Sequence, residues 1–69
     1  MINNLKAIRE LQHINQKDLA AAIGVTPRIM YDWEQGSVTP SIRAVLLMAH
    51  FLNIPVDRLY SIEDEIKEL

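Results

Sequence analysis

Apolar residues recur every third or fourth position along most of this 69-residue chain, the period of helices buried on one side. Leu5, Ile8 and Leu11 repeat at spacing three and predict a first helix over residues 3–12, capped by Asn3 or Asn4. His13-Ile14-Asn15 then makes a short connection with Ile14 turned inward. Leu19, Ala20 and Ile23 share one face of a second helix, 16–23. Met30 and Trp33, three apart, share one face of a third, 27–35. A fourth helix spans 42 to about 52, with Ile42, Val45, Leu46, Ala49 and Leu52 on its inward face. Leu47, Met48 and Phe51 widen its apolar arc, as in a central helix or one at an interface. After the Ile54-Pro55 turn, a short fifth helix runs from Val56 to Tyr60, and Leu59 and Tyr60 close the core. Ile62, Ile66 and Leu69, at spacings four and three, predict a last amphipathic turn or two capped by Ser61.

The boundaries have local chemical reasons. Asn15 is a good N-cap because its side-chain oxygen accepts from free N–H groups of the first turn. Asp18 supplies the negative charge that turn prefers. Gly24 and Gly36 stand where a helix stops on a left-handed residue. Thr26 caps the third helix, and Pro27 at its first position loses no hydrogen bond. Pro40 keeps the preceding residue out of a helix, Ser41 caps the fourth, and Asn53 ends it. Two short helices around Gly24-Val25-Thr26 read either as a helix-turn-helix or as an ordinary αα-hairpin. The third helix favours the former. Arg28, Ile29, Tyr31, Asp32 and Gln35 occupy its broad outward side, and a purely solvated helix would not carry Ile29 and Tyr31 there.

Composition sets bounds on this picture. The length suits one domain, and a hydrophobic content of 49% supports a real core. No cysteine is present, which removes disulfides and thiolate metal sites and fits a reducing, cytoplasmic setting. The longest apolar run, Ala44 to Leu52, is too short to span a bilayer, and no signal peptide is expected. The net charge of −2 runs against nucleic-acid binding, but it is unevenly placed. Residues 63–69 carry four acidic residues against Lys67; the remainder has six basic and five acidic residues, a net +1. The expected division is a domain over 1–62 and an acidic tail over 63–69.

Several segments together resemble the Xre, or Cro/repressor-type, helix-turn-helix family. They are Leu5-Lys6-Ala7-Ile8-Arg9, Asn15-Gln16-Lys17-Asp18-Leu19-Ala20, Ile23-Gly24-Val25-Thr26, Trp33-Glu34-Gln35-Gly36, Thr39-Pro40-Ser41 and Leu52 to Tyr60. Their order and spacing over residues 4–60 carry the resemblance, while each alone is weak. It implies an all-α, compact five-helix repressor-like fold and a sequence-specific DNA-binding regulator of transcription, often a homodimer on a palindrome. It also implies roles. Gln16, with Lys17 beside it, would touch the DNA backbone and brace the reading helix. Thr26, Pro27, Arg28 and Asp32 would face bases, and Ile29 and Tyr31 would flank them. Gln35, Ser37, Thr39, Ser41 and Arg43 would follow the phosphates, and Arg9 and Glu34 would join the first and third helices. Arginine suits a reading role because it grips the two major-groove acceptors of guanine, so Arg28 is the leading reader. Three departures stand out: Ser37-Val38-Thr39 where many members carry lysine or arginine, an aspartate at 32, and Pro27 in place of a longer side chain.

Other chemistries lack support. His13 and His50 have no carboxylate at ligand spacing, so no metal is expected, and no cofactor. Two glycines make no phosphate loop, and no Ser, His and carboxylate set suggests an enzyme. The expected partners are double-stranded DNA and a second copy of the chain, associating through Leu47, Met48 and Phe51, with no membrane. The acidic tail and missing loop lysines motivate an alternative, an antitoxin-like or partner-binding module with weak or no DNA binding.

Overall fold

The computed structural model describes residues 1–66. In chain order these form β1 (Ile2–Asn3), α1 (Leu5–Leu11), α2 (Gln16–Ile23), α3 (Pro27–Gln35), α4 (Ile42–Leu52), α5 (Val56–Leu59), β2 (Tyr60–Ser61) and a single 3₁₀ turn, Glu63–Glu65. The fold is all-α in its bulk, five helices around one core. Leu5, Leu19, Met30, Met48 and Leu59 are fully buried at its centre, one from each helix. α2 packs most extensively on α3, and α4 contacts both α2 and α5.

The four longer helices end in one kind of turn. Val25 N–H returns to Ala20 O at 3.0 Å, Ser37 N–H to Asp32 O at 3.2 Å, Ile54 N–H to Ala49 O at 3.0 Å and Ile14 N–H to Arg9 O at 3.1 Å. This is the Schellman stop, which needs a left-handed residue. Gly24 (φ 84°) and Gly36 (φ 80°) supply it at no steric cost, and Asn53 (φ 56°) at little. His13 (φ 58°) fills the same place after α1. The starts are equally local. Asn15 accepts from Asp18 N–H at 2.7 Å, Thr26 from Ile29 N–H at 3.2 Å and Ser41 from Ala44 N–H at 3.2 Å. Asn4 stands at the cap of α1 without capping it; its amide donates to Arg58 O, and Asn3 Oδ1 accepts from Leu5 N–H.

Four sequence expectations are corrected. The first helix begins only at Leu5, because Ile2 and Asn3 pair antiparallel with Ser61 and Tyr60. The fifth helix correspondingly stops at Leu59. Leu11 is 78% exposed: each step of three residues falls about 60° short of a full turn, so two steps carry Leu11 off the stripe that Leu5 begins. Arg9, four residues from Leu5, takes the buried position instead. On α4 the core face is Ala44, Val45, Met48, Ala49 and Leu52, while Ile42 and Leu46 face solvent. With apolar residues over a wide arc of that helix, periodicity alone could not place the centre of its buried face. At the end of the described residues lies one 3₁₀ turn, where Glu63 N–H donates to Ser61 Oγ at 3.2 Å as the sequence leads one to expect, and Ile62 and Ile66 are exposed; Leu69 lies outside the described residues.

Candidate nucleic-acid interface

α3 is held from behind by apolar and ionic anchors. Met30 is fully buried and Trp33 nearly so. Glu34, on the same side, receives Arg9 as a fork: Nε donates to Oε2 at 2.6 Å and Nη2 to Oε1 at 3.0 Å. Arg9 Nη1 donates to Ile14 O at 2.9 Å, and Gln16 Nε2 to Glu34 Oε1 at 3.1 Å. One carboxylate thus ties α1 and the start of α2 to α3. The bond from Glu34 pushes the Arg9 pKa up despite burial, so the arginine stays charged. Tyr60 brings its hydroxyl into the interior with no hydrogen-bond partner among the described residues. Burial first, and the Glu34 charge second, push its pKa up to about 12. Asn3 adds a further tie, donating from its side chain to Trp33 O at 2.9 Å.

The opposite side of α3 is open. Pro27, Arg28, Ile29, Tyr31 and Gln35 are exposed and Asp32 is half-buried. At 3.6 residues per turn, Arg28 and Gln35 lie near the middle of this side, with Tyr31 and Asp32 beside them. Arg28 Nε lies 3.3 Å from Asp32 Oδ1, and its guanidinium sits 5.4 Å from the centre of the Tyr31 ring. That pairing was readable as opposite charges four apart, but the sequence reading treated the two residues separately.

The other expected contact residues are placed as follows. Thr26 is exposed, its hydroxyl oxygen occupied in capping. Lys17 is exposed on the first turn of α2, next to the half-buried Gln16. Ser37 and Thr39 are exposed in the connection to α4, and Ser37 Oγ donates to Asp32 O at 3.2 Å. Ser41 and Arg43 are exposed at the start of α4. Of the three residues assigned to self-association, Leu47 and Phe51 lie on the surface, but Met48 is fully buried and belongs to the core. Helical geometry puts Leu47 and Phe51 on one edge of the outer face of α4 and Ile42 and Leu46 on the other, with Arg43 and His50 between. Ile42 and Leu46 went unassigned because they had been counted as core.

Among the described residues, no group of three His, Asp or Glu side chains could hold a metal, and no helix is long and apolar enough to cross a membrane.

A helix set outward by a glycine turn, capped at its start and braced by the helix before it, defines a helix-turn-helix domain. A family model for this motif, described as helix-turn-helix, matches residues 5–59, from α1 through α5. The chain belongs to the Xre, or Cro/repressor-type, helix-turn-helix family. It is also similar to an uncharacterized HTH-type transcriptional regulator of Methanocaldococcus jannaschii, 31% identical over 65 residues that cover 94% of this chain and 98% of the relative.

Proposed function

We propose that this protein is a sequence-specific DNA-binding regulator of transcription, acting as a repressor, that reads the major groove of a palindromic operator with α3. The observation that carries this reading is the two-sidedness of α3. Its inner side is fixed by Met30, Trp33 and the Arg9–Glu34 fork, while Arg28, Ile29, Tyr31 and Gln35 are exposed on the outer side. A rigid element with a mixed polar and apolar outer face suits base edges, thymine methyls and sugars. Gln16 and Lys17 at the start of α2, and Ser37, Thr39, Ser41 and Arg43 around the start of α4, are the proposed phosphate contacts, where free N–H groups of capped helix ends favour anions. Thr26 and Pro27 border the bases.

The domain acts as a homodimer, joined through the exposed Leu47 and Phe51. Two-fold symmetry then spaces the reading helices about 34 Å apart, one turn of duplex. Residues 63–69 form an acidic tail outside the DNA-contacting domain of 1–62. Those same exposed apolar residues of α4 favour a second reading, a partner-binding module of the same fold.

Selection of the purified protein against random duplex DNA at two salt concentrations separates the two. A DNA reader enriches a palindromic site, loses affinity steeply with salt as counterions are released, and loses enrichment in Arg28→Ala and Gln16→Ala while the helical fold persists. Absence of enrichment even at low salt transfers the assignment to the partner-binding module.

A further inference from the structure

Arg28 and Asp32 form an ion pair within α3, but the two ends are unequally exposed: 78% of the arginine side chain is open against 27% of the aspartate. The carboxylate meets the inner nitrogen, Nε, at 3.3 Å. The Tyr31 ring lies under the guanidinium at 5.4 Å. Nη1 and Nη2 form no hydrogen bond among the described residues. The group is therefore steered from one edge and one face, and its outer fork is left free.

Resting on the reading of α3 as the base-contacting helix, we propose that Asp32 is a positioning residue that aims the Arg28 fork at a guanine, making this pair the specificity determinant for one base pair of the site. A free fork of two donors matches guanine O6 and N7. The charges say why a base and not a phosphate is the target. A phosphate contact gains from net positive charge, and an adjacent carboxylate cancels it. What the pair retains is hydrogen-bond geometry, which discriminates bases. Asp32 could itself accept from a cytosine amino group, but its carboxylate is half-buried and turned to Arg28. The pair thus trades general affinity for selectivity, in keeping with a domain that has little excess positive charge.

The test uses the duplex recovered in selection and a set of duplexes with each base pair replaced, with affinities measured at one salt concentration. Wild type should prefer one G·C pair by roughly 5- to 150-fold over its replacements. Arg28→Lys keeps the charge but loses the planar fork, and should weaken that preference severalfold while binding the replaced duplexes about as well as wild type. Asp32→Ala should cut the same preference about threefold or more, with other positions unaffected. The proposal is overturned if Asp32→Ala raises affinity evenly on every duplex with the preference intact, for then the carboxylate only repels phosphate. It is also overturned if Arg28→Lys keeps the preference in full. Side-chain NMR relaxation of Arg28 Nε–H in the free protein provides a readout without DNA. The group should be ordered in wild type and mobile in Asp32→Ala; equal mobility in both removes the pairing. Failure of wild type to enrich any duplex at low salt is a different result, and it overturns the parent reading together with this one.

Discussion

Two arginine–carboxylate pairs meet α3, one on each side, and they do opposite jobs. Arg9 and Glu34 are fork to fork, almost fully buried, and shared with Gln16 and a backbone carbonyl. Arg28 and Asp32 touch at one point, with the arginine mostly in water. The chemistry is the same; the surroundings differ. Removing one partner of a buried pair strands a charge away from water, whereas an exposed pair gives back solvated ions. The inner pair therefore belongs to the stability of the domain and the outer pair to what α3 presents. A helix can be fixed at the back and open at the front only if the two sets of charges do not exchange partners. The second turn of α3 meets this condition by placing Glu34 inward and Asp32 outward, two residues apart.

The sharpest way to break this contrast is to unpair the inner side. Glu34→Ala should cost roughly 3–5 kcal/mol, since Arg9 would be left buried and uncompensated. A domain of this size has only about 5–10 kcal/mol of total stability, so the midpoint of thermal unfolding, followed by circular dichroism, should fall by well over about 10 °C. The double variant Arg9→Met with Glu34→Leu should recover much of that loss, because no charge is then left unpaired. A cost below about 1 kcal/mol for Glu34→Ala would mean that water reaches the pair and that both sides of α3 are alike.

Tyr60 sharpens the comparison from the inside. Its hydroxyl is buried with no partner among the described residues, so Tyr60→Phe should leave stability at neutral pH unchanged or raise it by up to about 1 kcal/mol. The pH dependence has a definite sign. The folded state keeps the phenolic proton up to about 12, while the unfolded chain releases it near 10.0. Between those values the folded state binds more protons, so stability falls as pH rises. This contribution is intact below the lower value and is lost through the upper one, with a slope of up to about 1.4 kcal/mol per pH unit. Urea denaturation between these pH values should show a shallower fall in Tyr60→Phe than in wild type. Parallel curves would place the hydroxyl in contact with water.

How much of this was visible in the sequence follows from the range of the interactions. Caps and stops are local, and Asn15, Gly24, Thr26, Gly36, Ser41 and Asn53 stand where their chemistry put them. The inner side of α3 was also legible, because Met30 and Trp33 share one narrow face of the helix. The outer face of α4 was not. Ile42 and Met48 are both apolar, and only the packing of the other helices decides that one is exposed and the other fully buried. The β1–β2 pairing was hidden for a related reason: it joins residues about 58 positions apart through two-residue strands, too short for any alternation to register. The outward residues of α3 follow from a resemblance together with their position on the helix; the four-residue spacing of Arg28 and Asp32 is legible too, while the ring of Tyr31 beneath the guanidinium needs the folded helix.

The smallest expected effect is the one that completes the contrast. Arg28→Ala, Asp32→Ala and the double variant form a thermodynamic cycle on the outer side of α3. Exposed pairs four apart on a helix are worth about 0.3–0.5 kcal/mol, and the contact of Arg28 with the Tyr31 ring largely cancels in a cycle that leaves Tyr31 in place. The coupling measured by urea denaturation should therefore stay below about 0.5 kcal/mol and shrink further in high salt. Each single variant should melt within about 4 °C of wild type. A small coupling in stability beside a large one in base preference would place the pair's role in what α3 presents. A coupling above about 1 kcal/mol would show instead that α3 needs its outer pair to hold its shape, and inner and outer sides would no longer be separable.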